Sequence, residues 1–232
     1  MKISYCTTCM GRLHHLKETL PQNLEAHRGF NVEFVLLDYN SKDGLKEWVQ
    51  KEVSAEIQNG RLAYYRTEEP EHFHRAHAKN VAHRLAKNEI VCNLDADNYA
   101  DQEFTDYLSH LFQNSPNSIT RGYGGDGFFG RVALPRTWFE ELGGYDESFQ
   151  GWGFEDDDLV FRGNARGLKI HDLPSQFAKV ILHPRVERWE ITRESNAAMS
   201  RANIDSGRLK ANCGQQWGSA RLTRNFGELV FV

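Results

Sequence analysis

Short apolar segments alternate with amphipathic stretches along the first half of the chain. One amphipathic stretch places apolar residues at i, i+3, i+4 and i+7, which predicts a helix with one buried face; these residues are Ala78, Val81, Ala82 and Leu85. Strands that alternate with helices are typical of β-α-β units on a mainly parallel sheet. The predicted strands are ISYCTT, VEFVLLD, LAYYRT and EIVCNLD.

Polar residues follow three of these strands, at the point where each strand ends. Because ligands of an open parallel sheet bind beyond the carboxyl ends of its strands, we expect the three loops to form one binding site. Taken singly, each loop also fits ordinary turn or N-cap chemistry. The residues are Thr7, Thr8 and Arg12 after the first strand, Asp38, Asn40, Ser41 and Asp43 after the second, and Asp95, Asp97 and Asn98 after the fourth.

The second half of the chain, from residue 116, interleaves glycines with aromatic residues. Such glycines let the backbone approach a ligand closely, and aromatic rings give flat surfaces for a sugar or a base. We expect Trp138 and Phe139 to pack inside the protein instead. The arginine- and asparagine-rich end of the chain is predicted to form a helix and an irregular tail that cover the sheet.

Composition indicates one globular domain. The chain has 232 residues, of which 40% are hydrophobic and 26% charged. This is enough for a large core that needs no disulfides or structural metal ions. A formal net charge of -4 gives no long-range field suited to duplex nucleic acid, so we expect no nucleic-acid partner. The sequence has no apolar run typical of a transmembrane segment, and its start lacks the apolar region of a secretory signal. A cytoplasmic protein is therefore expected.

Two groups of residues contain side-chain types that bind zinc, but neither group has the spacing of a usual zinc site. Cys6 and Cys9 form a C-x-x-C, but no second pair exists, and we favour reduced thiols at a strand end over a zinc site. The second group straddles a predicted helix start and matches no regular ligand pattern; it consists of His72, His74 and His77.

The segment GWGFEDDD, residues 151–158, sets four acids directly behind a tryptophan between two glycines. Acids are favoured in the first turn of a helix, and Asp158 can pair with Arg162 one turn on. That structural explanation accounts for part of the acidic run only. It leaves Trp152 and both glycines unexplained, so we favour a site for a sugar or another ligand.

Asp95-Ala96-Asp97 ends the fourth predicted strand. Two carboxylates at this spacing can hold a divalent cation with a diphosphate, although Asp-x-Asp turns are also common. Together, NLDADN, GWGFEDDD and the later His183 resemble the GT-A nucleotide-sugar transferases, most closely the β-1,4-galactosyltransferase group and bacterial family-2-like enzymes. The resemblance covers roughly residues 2–184.

This resemblance implies an α/β GT-A fold, with a mainly parallel central sheet flanked by helices and a helical or irregular C-terminal extension. It implies a single domain over residues 1–232. Within it we expect a nucleotide-sugar-binding half at 1–115, an acceptor and catalytic half at 116–184, and the extension at 185–232.

The resemblance also implies a metal site for Mn²⁺ or Mg²⁺. Asp97 and His183 match metal ligands, and Asp95 matches a residue against the ribose or the hydration shell of the metal. A strand-end histidine before Pro184 is the structural alternative for His183. Val180 stands where the vertebrate enzymes carry a methionine ligand, which weakens the expected metal preference.

Further roles follow from the same resemblance. Phe73 is expected near the uracil and Arg75 near the diphosphate, within F-x-R-A. The other expected nucleotide-binding residues are Thr8, Arg12, Asp38, Lys79 and Asp95. On the acceptor side Trp152 would stack on a sugar, Glu155 and Asp157 would accept hydrogen bonds from its hydroxyls, and Asp156 would be the catalytic base of an inverting displacement.

We therefore expect a transferase that moves a hexose or N-acetylhexosamine, with Gal and GalNAc favoured, from a UDP-sugar to a glycan or lipid-linked oligosaccharide. Synthesis of a bacterial surface polysaccharide is the expected setting. The arginine-rich tail leaves a peripheral membrane association open. Two other classes remain: a sugar- or nucleotide-binding module without turnover, and a metal-dependent phosphohydrolase or nucleotidyltransferase.

Overall fold

The computed structural model describes residues 1–123, 128–182 and 189–232. Within these ranges strands and helices alternate through the first part of the chain, as the hydrophobic pattern predicts. The strands are β1 (Ile3–Cys9), β2 (Val32–Tyr39), β3 (Leu62–Thr67), β4 (Ile90–Asn93), β5 (Ser118–Arg121), β6 (Ala133–Pro135), β7 (Lys169–Asp172), β8 (Arg221–Arg224) and β9 (Glu228–Phe231). The helices are α1 (Leu13–Ala26), α2 (Leu45–Glu52), α3 (Ser54–Gln58), α4 (Arg75–Leu85), α5 (Gln102–Asn114), α6 (Arg136–Glu141), α7 (Glu155–Ala165) and α8 (Trp189–Asp205).

The central sheet of the described residues has the strand order β6-β4-β1-β2-β3-β8-β9. The four strands from β4 to β3 are parallel to one another. Strand β6 runs antiparallel to β4, β8 runs antiparallel to β3, and β9 runs antiparallel to β8. A separate pair, β5 and β7, is parallel. The predicted mainly parallel α/β fold is confirmed, and all four predicted strands are present.

Both faces of the sheet are covered, which explains why its central strands read as nearly continuous apolar runs. Successive residues of β1 enter different clusters: Tyr5 packs on one face and Cys6 on the other. On the second face Phe139 is fully buried, as expected. Trp138 is half-buried, and its indole N–H donates a hydrogen bond to Asn117 at 3.2 Å.

The end of the chain has more regular structure than its sequence suggests. The predicted helix is α8, but the tail that was expected to be irregular contributes β8 and β9, which extend the sheet beyond β3. Most residues of these two strands are exposed or half-buried, so no buried apolar run marks them in the sequence. No helix in the described part of the chain combines the length and apolarity needed to cross a bilayer.

Candidate active site

The polar loops after β1, β2 and β4 lie along one edge of the sheet, and the strand order reverses between β1 and β4. Such a reversal is where ligands bind in open α/β sheets. Asp95 lies just beyond β4 and accepts a hydrogen bond from Asn93 Nδ2 at 2.9 Å. The same amide donates to the carbonyl oxygen of Gly130 at 2.8 Å. Asn93 therefore fixes Asp95 against the segment that leads into β6.

The carboxylates of Asp95 and Asp156, which are far apart in the sequence, both lie close to Gly130. A Cβ atom at this position would lie 2.5 Å from Asp95 Oδ2 and 3.3 Å from Asp156 Oδ2. The absent side chain leaves a space bordered by hard oxygen atoms, which suits Mn²⁺ or Mg²⁺. Three or more His, Cys, Asp and Glu side chains do not converge on a metal-sized site within residues 1–123, 128–182 and 189–232. The fit to a divalent cation thus depends on this space and its carboxylates.

The second acid of the Asp-x-Asp, Asp97, is half-buried beside a strand-like contact. Its backbone carbonyl accepts a hydrogen bond from Ile181 N at 2.8 Å, and Asn98 forms an isolated bridge with Val180. The chain just before the predicted ligand His183 is therefore paired with the Asp-x-Asp segment. His183 itself lies outside the described residues, and its role stays a prediction.

The GWGFEDDD segment makes a tight turn into α7. Gly151, Gly153 and Phe154 all adopt left-handed backbone conformations, with φ values of 69°, 90° and 76°. A left-handed conformation costs a residue with a Cβ about 1 kcal/mol, so Phe154 is held there by its surroundings. The turn allows α7 to begin at Glu155 with all four acids in its first turn, where the helix dipole favours them.

Each acid of the first turn has a cationic partner. Lys79 Nζ lies 3.0 Å from Glu155 Oε1 and 2.8 and 2.9 Å from the two carboxylate oxygens of Asp156. Asp157 is half-exposed, with Arg193 Nη2 at 3.4 Å. The first helical turn of α7 therefore combines buried and partly exposed carboxylates.

The fourth acid has a structural role. Asp158 is fully buried and pairs with Arg162 at 2.6 Å, as the i, i+4 spacing predicts. Ser200 Oγ donates to its other oxygen at 2.7 Å. Arg162 also donates to the carbonyl oxygens of Leu142 and Gly144, each at 2.8 Å. This network joins α7 to α8 and to the chain before GWGFEDDD, residues 151–158, which we call the acceptor segment after its predicted role.

Asp156 and Glu155 have pKa values that are shifted in opposite directions. Burial raises the pKa of Asp156 to about 8; Lys79 opposes this rise, whereas the charges of Glu155 and Asp95 add to it. Burial acts in the same direction on Glu155, but there Lys79 and Arg75 outweigh it and lower the pKa. Two neighbouring carboxyl groups with divergent pKa values are common where one of them acts as an acid or base.

Comparison with known proteins gives matches to glycosyltransferases. A family model described as the N-terminal domain of galactosyltransferase matches residues 112–185, which include β5, the acceptor segment and α7. The chain has the GT-A fold, and residues 112–185 resemble the galactosyltransferase family. The resemblance stated from its motifs is confirmed at that level.

Solved glycosyltransferases share the fold of this GT-A protein. The mannosyltransferase PcManGT from Pyrobaculum calidifontis, in complex with GDP-Man and Mn²⁺, superposes with a TM-score of 0.70 at 20% identity, over 88% of this chain and 64% of that one. Residues 1–349 of S. aureus TarS give 0.60 at 18%, over 75% and 58%. GalNAc-T7 with UDP, GalNAc and Mn²⁺ gives 0.62 at 20%, over 73% and 42%. The chain spans less than two thirds of the length of each.

A cavity of about 250 Å³ in the GT-A protein adjoins the start of α4. Phe73 and Arg75 line it, together with Gly151, Gly153 and Asn196. Arg75 lies over the Phe73 ring at 5.6 Å and donates to the carbonyl oxygen of Gly151 at 3.0 Å. The structure therefore brings two predicted nucleotide-binding residues next to the acceptor segment.

The remaining predicted nucleotide-binding residues differ in their surroundings. Arg12 is half-buried and close enough to Arg75 to influence it electrostatically, and Thr8 is buried in β1. Asp38 is fully buried: one oxygen accepts from Ser41 N at 2.8 Å, and the other accepts from Tyr64 at 2.7 Å and from Arg66. Burial raises the pKa of Asp38 despite these donors. Its carboxylate is thus committed to protein contacts at the end of β2.

The two residue groups that suggested zinc have other surroundings. Cys6 and Cys9 belong to clusters on opposite faces of the sheet, so both cannot reach one ion. His74 caps α4, where its ring nitrogen accepts from His77 N at 3.2 Å. His77 bridges Tyr39 and the carbonyl oxygen of Ser219, at 2.7 and 3.0 Å.

Sequence reasoning missed residues that hold the acceptor segment. Asn196 on α8 donates to the carbonyl oxygens of Gln150 and Gly153, at 3.0 and 2.9 Å. Thr192 contacts Trp152 one turn earlier, and Ser200 contacts α7 one turn later. A polar stripe at positions 192, 196 and 200 was visible as an i, i+4, i+8 pattern. Nothing in the sequence shows what that stripe contacts.

Proposed function

We propose that the protein is an inverting glycosyltransferase that transfers a hexose or N-acetylhexosamine from a UDP-sugar to a hydroxyl group of a glycan. One observation carries the proposal: Asp95 of the Asp-x-Asp and Asp156 of the acceptor segment approach the same residue, Gly130. A donor diphosphate bound near Asp95 and an acceptor bound near Trp152 would then adjoin at Asp156.

In this mechanism Asp156 accepts the proton of the acceptor hydroxyl. The hydroxyl oxygen forms a bond to the anomeric carbon as the bond from that carbon to the diphosphate oxygen breaks, and the configuration inverts. Trp152 stacks on the acceptor ring, while Glu155 and Asp157 orient its hydroxyl groups. Arg75 pairs with the diphosphate.

A divalent cation fits the same scheme. Asp97 and Asp95 would hold Mn²⁺ or Mg²⁺, with His183 as a further ligand, and the bound ion would neutralise charge on the departing diphosphate. Complexes of the mannosyltransferase and GalNAc-T7 with Mn²⁺ support metal use in this fold. Val180 stands in place of the family methionine. The support for manganese over magnesium is therefore weaker than the support for a divalent cation.

The proposals for the donor sugar, the acceptor and the cellular setting rest on the family resemblance. We propose Gal or GalNAc as the donor sugar, supported by the galactosyltransferase description of the matching family model. We propose a glycan or lipid-linked oligosaccharide as acceptor, a cytoplasmic site and a role in bacterial surface polysaccharide synthesis, because the motifs resemble those of bacterial family-2-like enzymes. The arginine-rich end of the chain supplies cations for a peripheral membrane contact.

A donor screen tests the proposal. Release of nucleotide would be measured for pooled UDP- and GDP-sugars with Mn²⁺, with and without candidate glycan acceptors. We expect acceptor-dependent release from one UDP-sugar, with a loss of about 100-fold or more in Asp156→Asn. Trp152→Ala should lose acceptor dependence while UDP binding persists. Nucleotide hydrolysis that needs no acceptor and is equal in all three proteins would indicate a phosphohydrolase instead.

A further inference from the structure

Lys79 is a deeply buried cation at the proposed active site, with only 5% of its surface exposed. It lies on α4, one turn beyond Arg75, and reaches across to the first turn of α7. Its ammonium group also lies 5.3 Å from the centre of the Tyr145 ring. A buried ammonium group is costly unless its charge and its hydrogen bonds are compensated.

The three contacts of Lys79 use its full hydrogen-bonding capacity. A lysine ammonium group has three N–H donors, and three carboxylate oxygens lie within 2.8 to 3.0 Å of Nζ. One belongs to Glu155 and two belong to Asp156. No donor is left over for a phosphate oxygen while these contacts hold. Burial opposes the charge on Lys79, but Asp156 and Glu155 outweigh it and hold the lysine pKa well above its usual range.

Arg75 has different surroundings on the same helix. It lines the cavity, it is half-buried, and its one direct contact to the acceptor segment is to a backbone carbonyl. A guanidinium group has five N–H donors, so Arg75 keeps donors for a diphosphate after that contact. The two cations of α4 therefore differ in what they can still bind.

We infer that Lys79 is a positioning residue for the catalytic base and not a nucleotide ligand. By holding both oxygens of Asp156, it fixes the plane of the carboxylate and directs the remaining lone pairs towards the acceptor hydroxyl. By holding Glu155 as well, it offsets the repulsion between adjacent acids in the first turn of α7. The inference rests on the proposed function, because it assumes that Asp156 is the base.

The test compares Lys79→Met with Arg75→Met, and with Lys87→Met as an exposed control just beyond α4. For Lys79→Met we expect kcat to fall about 100-fold, because a small misplacement of a reacting group has this effect. The KM values for donor and acceptor should stay within about threefold, and so should the UDP dissociation constant measured by calorimetry with Mn²⁺. Arg75→Met should weaken UDP binding instead, and Lys87→Met should change nothing.

A merely structural lysine and a nucleotide-binding lysine would give other results. An increase of about tenfold in the UDP dissociation constant with kcat preserved would overturn the inference in favour of phosphate binding. If Lys79→Met does not fold, Lys79→Arg retains the charge in a forked geometry that matches three convergent oxygens poorly, and the same loss of kcat at unchanged KM is expected. Full kcat in Lys79→Arg would also overturn it. Absence of any transfer by the wild type contradicts the proposed function, whereas these outcomes concern Lys79 alone.

Discussion

Thr192 and Trp152 are joined twice through one hydroxyl group. The amide of Trp152 donates to Thr192 Oγ1 at 3.1 Å, and Oγ1 lies 3.1 Å from the carbonyl oxygen of the same tryptophan, to which it donates. Asn196 holds the carbonyls on either side of this residue. Helix α8 therefore fixes the backbone that carries the indole, and the C-terminal extension contributes to the proposed acceptor site.

Thr192→Val removes both hydrogen bonds and keeps the shape of the side chain. Each bond contributes about 1 kcal/mol, together about 2 kcal/mol, so we expect the acceptor KM to rise about 30-fold while the donor KM is unchanged. Steady-state kinetics with one substrate varied at a time measures both. Ser195→Ala, which removes an exposed hydroxyl from the same helix, is the control. An equal rise in both KM values would indicate a general loss of structure.

Gly151→Ala should damage the acceptor segment through contact as well as through backbone conformation. The new Cβ would lie 2.7 Å from Thr192 Cγ2, and φ is 69°. Gly214→Ala is matched for conformation, with φ of 74° and no atom within 4 Å of the added Cβ. We expect the control to lose about 1 kcal/mol of unfolding free energy and Gly151→Ala clearly more, measured in urea. Equal losses would mean that α8 moves aside without cost.

Asp158→Asn should be strongly destabilising because it leaves the fully buried Arg162 guanidinium without a counter-charge. Removal of one partner from a buried ion pair costs about 3 to 5 kcal/mol. The control is Glu140→Gln, which breaks the exposed i, i+4 pair with Arg136 and should cost less than about 0.5 kcal/mol. Urea unfolding of both variants measures the difference. A small effect at both sites would show that water reaches Arg162.

Gly130→Ala tests the space between Asp95 and Asp156. The added Cβ would overlap Asp95 Oδ2, so the carboxylate must turn away. We expect Mn²⁺ binding in the presence of UDP to weaken about tenfold or more by calorimetry, with unfolding free energy nearly preserved. Gly227→Ala, whose Cβ meets no atom within 4 Å, should bind like the wild type. Unchanged metal affinity in Gly130→Ala would place the cation away from Asp95.

His83 should make stability depend on pH. Its ring stacks on Phe139 at 4.9 Å, and burial lowers its pKa from 6.5 to about 3. Between these values the unfolded chain binds a proton that the folded protein does not, so stability is complete above pH 6.5 and falls as pH decreases towards 3. His83→Phe keeps the stack and removes the ionisation.

We therefore expect wild-type unfolding free energy to fall about 1.4 kcal/mol per pH unit more steeply than that of His83→Phe below pH 6. Urea titrations at two or three pH values measure the slopes. Replacement of the exposed His110 by Gln should leave the slope as in the wild type. Parallel slopes for His83→Phe and the wild type would mean that the buried imidazole is protonated in the fold.

The order of strands and helices could be predicted from local pattern. The apolar segments that became β1, β2, β3 and β4 are continuous because helices cover both faces, and the stripe of α4 has the helical period. The Asp158–Arg162 pair followed from spacing within one helix. The left-handed backbone conformation of Phe154 could not be anticipated in the same way. Its Cβ atom disfavours this conformation, which tertiary contacts hold in place.

By itself the sequence determined the α/β class, the strand-end loops and the acidic segment behind Trp152, because these depend on periodicity and on neighbours a few residues apart. The tertiary structure alone decided that Lys79 contacts Asp156, 77 residues away, and that α8 holds the acceptor turn. Lys79 shares a helix with Arg75, and the family resemblance implied that both bind the nucleotide. Their different partners are set by how α4 and α7 pack, and packing depends on contacts between segments that no local pattern specifies.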